Sequence, residues 1–364
     1  MARKLPWLLL ALAAAAVPGC ASDGGGEVAD AFGEAFADVA EFLGRSDPVR
    51  HAGRLDRLHD TATFRHAPDV PPTYDACVAE IRVLAASDYA SWREAGVAVY
   101  VLSRAVADDS AAWHRAEAVR ALSVVGGYAA EVEDPPAIPG REGDAWKAVE
   151  RLREIHADGG DHASEETAAE CAALLRRVGD LRVPTGRPVS PSEGRLQVRT
   201  VRGILLAALV ATRAPEAHAG PDLRAAMDRA VVNLASLATR LALSQAVVFD
   251  PDARVREAAA VALGTVAPEG AALPLQAAYL RERDVLARRA MVRAAAALAA
   301  LGPGPRRDGA VPLLVASLDD EDGSIAFVGR DGLRALAGED LGDRPEPWIR
   351  WWGRAKDAGG APPR

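Results

Sequence analysis

Apolar residues in this chain recur at intervals of three and four positions, which is the spacing of one face of an α-helix. The segment EVADAFGEAFADVAEFLG shows the pattern clearly, because its apolar residues fall on a single stripe: Val28, Phe32, Phe36, Val39 and Leu43. The sequence shows no convincing alternation of apolar and polar residues of the kind that predicts a half-buried β-strand. The pattern therefore predicts an all-α fold with about fifteen helical segments.

The predicted helices are separated by ordinary capping and turn residues. Aspartate is expected as the N-cap at Asp88, Asp109 and Asp252, and glycine is expected just past helix ends at Gly44, Gly264, Gly302 and Gly338. Two segments rich in proline and glycine, Glu131–Asp144 and Gly179–Gly194, predict loops without helix. These loops are expected to be solvated connections, although long ordered loops can also carry contacts. The main predicted helices are Tyr74–Ala86, Tyr89–Ala107, Ser110–Val125, Asp144–His156, Ser164–Val178, Leu196–Thr212, Pro221–Val247 and Ala253–Val266.

Internal similarity indicates repeats. Four ten-residue windows end in glycine: EAVRALSVVG at Gly126, VREAAAVALG at Gly264, RAAAALAALG at Gly302 and GRDGLRALAG at Gly338. The fifth, eighth and ninth positions of every window are apolar, so each window presents one helical face to a neighbour. The last three windows lie 38 and 36 residues apart, which is enough for one antiparallel helix pair each.

The segment DPDARVREAAAVALG resembles a HEAT-type repeat of the short bacterial kind that also occurs in phycobilisome-lyase-like proteins. The resemblance implies an α-solenoid of antiparallel helix pairs, HEAT- or armadillo-like, in which each pair contacts its neighbours and a concave face is left for partners. On this basis residues 72–358 are expected to form the repeats with a C-terminal cap, residues 27–71 N-terminal helices and residues 359–364 a disordered tail. The matching positions are Asp252, Val255, Arg256, Ala259, Ala262, Leu263 and Gly264.

The N-terminus resembles a lipoprotein signal peptide. Arg3 and Lys4 precede an apolar run from Leu5 to Val17, and the following VPGC resembles a bacterial lipobox. The resemblance implies removal of residues 1–19, lipidation of Cys20 and a flexible tether over residues 20–26, which would anchor the protein to a membrane of the bacterial cell envelope. An ordinary signal peptide and an uncleaved anchor are the alternatives, and the choice between outer and inner membrane stays open.

Composition and charge restrict the classes of binding partner that are expected. The chain carries 43 basic and 51 acidic residues, a net charge of −8, and loss of Arg3 and Lys4 would make it more negative. Such a surface repels phosphate backbones, so no nucleic-acid partner is expected. Cys77 and Cys171 lie in alanine-rich helical patterns and are expected to be buried free thiols, with a disulfide as the alternative in an exported chain.

The sequence contains no motif that predicts catalysis. A GxSxG elbow, a glycine-rich phosphate loop and a CxxC pair are all missing. HADGGDH, from His156 to His162, is the best metal candidate, but ordinary helix termination explains it better, and no metal or cofactor is expected. DPDAR and DDEDG do not fit a calcium loop and are interpreted as N-caps and a solvated acidic turn.

Tryptophans supply the remaining candidates. Trp92 and Trp113 occupy similar places in consecutive helices and could bind a partner in a groove, although packing between repeats is the favoured interpretation. Trp348, Trp351 and Trp352 share one helical face and are expected to close the last repeat by packing on the helix with Leu333 and Leu336, rather than to form a binding surface.

The expected function is a non-enzymatic, lipid-anchored scaffold that binds another protein. The alternatives are an envelope receptor for a sugar or peptide near Trp92 and Trp113, and an accessory subunit or lyase-like enzyme built on the same repeats.

Overall fold

A computed structural model describes residues 71–87, 92–108, 111–130, 190–211, 221–268 and 270–357, together with positions 52, 54, 147, 148, 151, 170 and 173. These described residues are 85% helical and contain no strand. The prediction of an all-α fold is confirmed.

The described helices agree closely with the predicted ones. The helix Ala253–Val266 has the predicted bounds, and Asp252 caps it by accepting a hydrogen bond from the backbone N–H of Arg254. The helices in chain order are α1 Pro71–Ala86, α2 Trp92–Asp108, α3 Ala112–Ala130, α4 Pro191–Ala211, α5 Pro221–Phe249, α6 Ala253–Val266, α7 Ala272–Tyr279, α8 Val285–Ala300, α9 Pro305–Ala316, α10 Gly323–Ala337 and α11 Pro345–Asp357, with a 3₁₀ turn at Ser317–Asp319.

The helices pack in two rows. The first row runs α4, α2, α5, α7, α9 and α11, and the second row runs α1, α3, α6, α8 and α10. Each second-row helix after α1 also packs on the first-row helix that precedes it, as in the pairs α5 with α6 and α7 with α8. Helices α3 and α6 are neighbours in the second row although α4 and α5 lie between them in the sequence.

Alanine and glycine allow the close spacing between the two rows and between neighbouring helices of one row. Gly264, expected to end a helix, lies inside α6, which continues to Val266 and closes at Ala267 with a left-handed φ of 48°. A β-carbon at Gly264 would lie 2.9 Å from the Cα of Ala294 in α8, so the glycine permits contact between helices rather than termination. At two other expected ends the prediction is correct, since Gly302 follows α8 with φ 105° and Gly338 caps α10 with φ 76°. Gly44 lies outside the described residues.

The predicted loop Gly179–Gly194 is wrong at its C-terminal end, because α4 begins at Pro191. Proline is well tolerated in the first turn of a helix, where its missing N–H would have no helical partner. The backbone N–H of Gly194 already donates to the carbonyl of Ser190 at 3.1 Å.

Helix α5 contains the described segment that is long and apolar enough to cross a membrane. This segment, Arg229–Phe249, has a mean hydropathy of 1.4, and 78% of it is buried inside the protein. Its apolar surface is covered by α2, α4, α6 and α7, so its composition is that of a central core helix.

Candidate binding surface

Three of the second-row helices begin in the same way. Asp252, Asp284 and Asp322 cap α6, α8 and α10, and each side chain accepts a hydrogen bond from a backbone N–H in the first turn. Two positions earlier stands another acid, whose carboxylate accepts the N–H of the capping aspartate. These acids are Asp250 at 2.9 Å, Glu282 at 3.0 Å and Asp320 at 2.9 Å.

Each of these acids also accepts hydrogen bonds from an arginine of the preceding second-row helix. Arg256 of α6 reaches Glu282 with two nitrogens at 2.5 and 2.8 Å, and it also donates to the carbonyl of Asp250 at 2.7 Å. The N-terminal ends of neighbouring second-row helices are therefore tied side by side. We call the set the arginine ladder. Three of its pairs join second-row helices: Arg115–Asp250, Arg256–Glu282 and Arg288–Asp320. The fourth pair, Arg330–Asp340, joins α10 to the turn before first-row helix α11.

The first three pairs of the arginine ladder are buried, whereas Arg330–Asp340 is partly exposed. The Glu282 side chain is 2% exposed; burial opposes its ionisation, but hydrogen bonds from Arg256 and from the Asp284 N–H outweigh this and lower its pKa. Asp320 additionally accepts the hydroxyl of Tyr279 at 2.6 Å, and burial together with that hydrogen bond raises the tyrosine pKa.

The acidic motifs are thus only partly what the sequence indicated. In DPDAR, Asp252 is an N-cap as predicted. In DDEDG, Asp319 and Glu321 are exposed and Asp322 is an N-cap, as predicted. Asp320 departs from the prediction, because its side chain is buried between Tyr279 and Arg288. Hydrogen bonds from Arg288 and Tyr279 replace the hydration that this buried carboxylate loses.

The solvent side of the second row combines apolar and arginine side chains. Trp113 and Leu286 are the second residues of α3 and α8, and Arg254 holds the same place in α6. Trp113 is 41% exposed, Phe327 of α10 is 69% exposed, and Val261 and Leu286 each expose more than half of their surface. We call this surface the second-row face; it comprises Trp113, Arg254, Val261, Leu286, Arg289, Arg293 and Phe327.

A groove opens at one end of the second-row face, between α1, α3 and α6. Its volume is about 510 Å³, and we call it the Trp113 groove. Glu117 lies 3.6 Å from Arg82 and 3.2 Å from Arg120, so it shares its charge between two arginines. Arg254 pairs with its own cap, and this hydrogen bond lowers the pKa of Asp252 to about 2. The lining residues are Val78, Ala79, Arg82, Trp113, Ala116, Glu117, Arg120 and Arg254.

Helix α8 carries two further arginines toward solvent. Arg289 and Arg293 lie four positions apart, on one helical face with Leu286. Neither forms an ion pair with any residue that the structure describes. The Nε of Arg289 is buried and has no hydrogen-bond acceptor among the described atoms. Arg289 nevertheless interacts electrostatically with the Asp322 cap of α10, so Arg293 is the more isolated of the two cations.

The tryptophan predictions have different outcomes. Trp92 is the first residue of α2, and its side chain lies outside the described part of the structure. Trp113 is not enclosed between repeats, as the favoured interpretation had it; it lines the Trp113 groove, with its ring centroid 6.0 Å from that of His114.

The C-terminal tryptophans of α11 are buried. Trp348 and Trp351 stack edge to face with centroids 6.1 Å apart, and Trp348 Nε1 donates to the carbonyl of Gly342 at 2.8 Å. Trp352 lies beneath the guanidinium of Arg307 at 5.5 Å. Arg307 belongs to α9, and the α11 backbone packs mainly on that helix rather than on α10 with Leu333 and Leu336. The three rings contribute to the core and leave little surface for a ligand.

Other candidates lie outside the described residues: Cys20, the signal and tether, the side chain of Cys77, Cys171, Asp88, Asp109, and HADGGDH. Within the described residues, no group of three or more His, Cys, Asp or Glu side chains could hold a metal ion.

Sequence reasoning missed the arginine ladder and the pair Arg289 and Arg293. The glycines do not mark equivalent positions of the repeats, because Gly264 lies inside α6 and Gly302 follows α8. The aspartate caps do mark equivalent positions. Each cap stands two positions after an acid, and Arg256 and Arg288 stand four positions after their caps.

Comparisons of the chain with protein-family models, with curated proteins and with solved structures found no match.

Proposed function

We propose that this protein is a lipid-anchored, non-enzymatic scaffold of the bacterial cell envelope, built as a HEAT-like solenoid, that binds another protein through its second-row face. Cys20 is the proposed lipid attachment site, and residues 21–26 are the proposed tether.

The two rows of helices support the solenoid part of the proposal. Each second-row helix from α3 to α8 contacts the next second-row helix, and the contacts follow the order of the row. The arginine ladder repeats the same link at each step, which is what a stack of equivalent units requires. The repeat period of 38 and 36 residues adds a consistent length for one helix pair.

The observation that carries the binding function is the composition of the second-row face. Exposed aromatic, aliphatic and arginine side chains are the residue types enriched at protein interfaces, while isolated exposed apolar residues need no explanation. Here Trp113, Val261, Leu286 and Phe327 lie on four successive helices of one row. With neighbouring axes about 8–10 Å apart, four helices span roughly 24–30 Å, which suits a standard interface.

Crosslinking in cells tests the binding function. The photoreactive amino acid benzoylphenylalanine is placed at Phe327 on the second-row face and, in a separate strain, at Leu280, which is 76% exposed at the end of first-row helix α7. We expect ultraviolet light to produce a discrete crosslinked protein from position 327 and none from position 280. Equal products from both positions, or none from 327, would contradict the proposal.

The anchor is tested separately. We expect Cys20→Ser to move the protein from the membrane fraction to the soluble fraction and to abolish labelling by a palmitate analogue. Retention of label in the variant would rule out Cys20 as the attachment site.

A further inference from the structure

We propose that the second-row face binds the same face of a second copy of this chain, with Phe327 of each copy entering the Trp113 groove of the other. The two copies would be related by a two-fold axis that runs parallel to the second-row helices, between α6 and α8. This inference rests on the proposed function and names the partner of the second-row face.

The second-row helices present matching positions to solvent, and these positions define the levels of the face. The caps Asp252, Asp284 and Asp322 are position zero of α6, α8 and α10. In α3 the same place belongs to Ala111, whose carbonyl accepts the N–H of Arg115 at 3.0 Å, just as each cap carbonyl accepts the N–H four residues on. Positions two, nine and thirteen are exposed in all four helices, and position five is a more buried level between them.

Charge changes sign along the row at the two central levels. Position nine of α3, α6, α8 and α10 is occupied by Arg120, Val261, Arg293 and Asp331. Position five is occupied by Ala116, Glu257, Arg289 and Phe327. A two-fold axis parallel to the helices keeps each level and reverses the order of the row. Helix α3 therefore faces α10 of the second copy, and α6 faces its α8.

The reversed row is complementary to the original one. Arg120 faces Asp331 of the second copy, Glu257 faces its Arg289, and the symmetry repeats both pairs. Arg120 and Asp331 are more than half exposed and have ion-pair partners on their own helices, so the new pairs fix the register more than they add affinity. An axis running across the row between the two levels would instead bring Arg289 opposite Arg293 of the second copy.

The other charges of the face tolerate this arrangement. Arg293 faces Val261 of the second copy, and its aliphatic stem can pack on that apolar side chain. At positions two, five, nine and thirteen no like charges face each other. At the rim, Asp252 comes opposite Asp284 of the second copy, and Arg254, which pairs with Asp252 at 2.8 Å, offsets part of that repulsion.

The same arrangement places Phe327 of the second copy over the Trp113 groove. Phe327 is 69% exposed and faces Ala116, which lines the groove together with Trp113 and Arg120. The groove volume of about 510 Å³ is more than a phenyl ring needs. Phe327 and Asp331 are one turn apart on α10, as Ala116 and Arg120 are on α3, so the ring and the carboxylate reach the groove together. An aromatic side chain that fills a pocket is a typical source of binding energy at an interface.

The size and the charge of the face suit association of two copies. Four helices span roughly 24–30 Å, and the 14 and 16 residues of α6 and α8 give lengths of about 21–24 Å. The two copies would then bury roughly 1,000–1,400 Å² in total, which reaches the range of specific interfaces. Because the chain has a net charge of −8, two copies repel each other unless the surfaces in contact carry both signs of charge, as this face does.

Disulfide crosslinking tests the arrangement with the full chain in detergent micelles, with detergent in excess so that each micelle holds one anchor. Arg120→Cys and Asp331→Cys are purified separately, mixed and oxidised with copper phenanthroline. We expect a linked dimer from the mixture and none from either variant alone, because identical positions lie three helix spacings, roughly 24–30 Å, apart across the axis. Wild type, which keeps the native cysteines, gives the background.

Sedimentation velocity measures the dissociation constant of the dimer. We expect Asp331→Arg to weaken dimerisation by at least about tenfold, because it places like charges opposite each other twice in each dimer, and Arg120→Asp in the same chain to restore most of the affinity. Phe327→Ala should weaken dimerisation by a similar factor without changing the circular dichroism spectrum. The matched control is Leu280→Ala, which removes a side chain that is 76% exposed at the end of first-row helix α7 and should leave the dissociation constant unchanged.

Three outcomes would overturn the inference: wild-type protein that remains monomeric at the highest concentration reached, no linked dimer from the mixture beyond that from each variant alone, or no recovery in the double charge variant. The in-cell crosslink at Phe327 separates this inference from the proposed function. A product of twice the mass of the chain supports the second copy. A discrete product of another mass would leave the scaffold function standing and reject only the dimer.

Discussion

The arginine ladder makes a sharp prediction about stability. Replacing Arg256 by methionine keeps the aliphatic stem but removes the guanidinium that donates to Glu282 and to the carbonyls of Asp250 and Pro251. The Glu282 side chain, 2% exposed, is left without its cation. Removing one partner of a buried ion pair costs about 3–5 kcal/mol, and because Arg256 is 20% exposed we expect a loss near 3 kcal/mol in the free energy of unfolding.

The measurement is urea denaturation followed by circular dichroism at 222 nm. Arg330→Met is the matched control, since it removes the same kind of pair at the end of the ladder, where the Asp340 side chain is 38% exposed. Solvent already screens that pair, so we expect little measurable change in the midpoint. Equal losses in Arg256→Met and Arg330→Met would refute the reasoning that burial, rather than position in the ladder, determines the cost.

The pH dependence of the stability difference between wild type and Arg256→Met is a second test. The pKa of Glu282 is lowered in the folded protein from its ordinary value of 4.5, so the pair's contribution is complete above that value and is lost as the pH falls through the lowered pKa. We expect the difference between wild type and Arg256→Met to be largest near neutral pH and to shrink below pH 4.5, because protonated Glu282 no longer needs the cation. A difference that stays constant down to acid denaturation would show that lost packing, not charge, explains the effect.

Two further substitutions, each with a control, test packing, and the urea concentration at the midpoint of unfolding is the measurement. Gly264→Ala should lower the free energy of unfolding by about 1–3 kcal/mol, because its methyl group would press on Ala294. The control is Gly203→Ala, whose new methyl group would meet no atom within 4 Å. This change should raise the free energy of unfolding by about 1 kcal/mol through better helix propensity. A loss at both positions would show that the close approach is not the cause. Trp351→Ala should cost about 3–5 kcal/mol, and Ile349→Ala, on the exposed side of the same helix, less than about 0.5 kcal/mol; similar small changes would mean that the tryptophans do not belong to the core.

Local information explains why the helices could be predicted so closely. The bounds of α6 follow from the Asp252 cap and from an apolar period that needs only fourteen consecutive residues. Pro191 was ambiguous for an equally local reason, because proline suits both a loop and the first turn of a helix. Gly264 was ambiguous for a non-local reason: whether a glycine ends a helix or permits a close approach depends on Ala294, which belongs to another helix.

The candidate surface could be predicted only in part. Trp113 was identified because tryptophan is rare and conspicuous, but nothing in its own segment determines how much of it is exposed. The ladder pair Arg115 and Asp250 is separated by 135 residues, so no window of sequence contains both partners. An arginine that completes a buried pair and one that faces solvent alone, such as Arg293, have the same local sequence character, and only the packing of the rows distinguishes them.

The arginine ladder also bears on how such a chain can change its length. Each unit carries a cation that serves the following unit and an acid that serves the preceding one, so the unit is complementary to a copy of itself. Excising residues 283–320 would leave Glu282 two positions before Asp322, restoring the same acid, spacer and cap. Duplication or loss of a whole unit therefore keeps the acid, the spacer and the cap at the new junction, and Asp340 provides an acidic acceptor in the turn before α11.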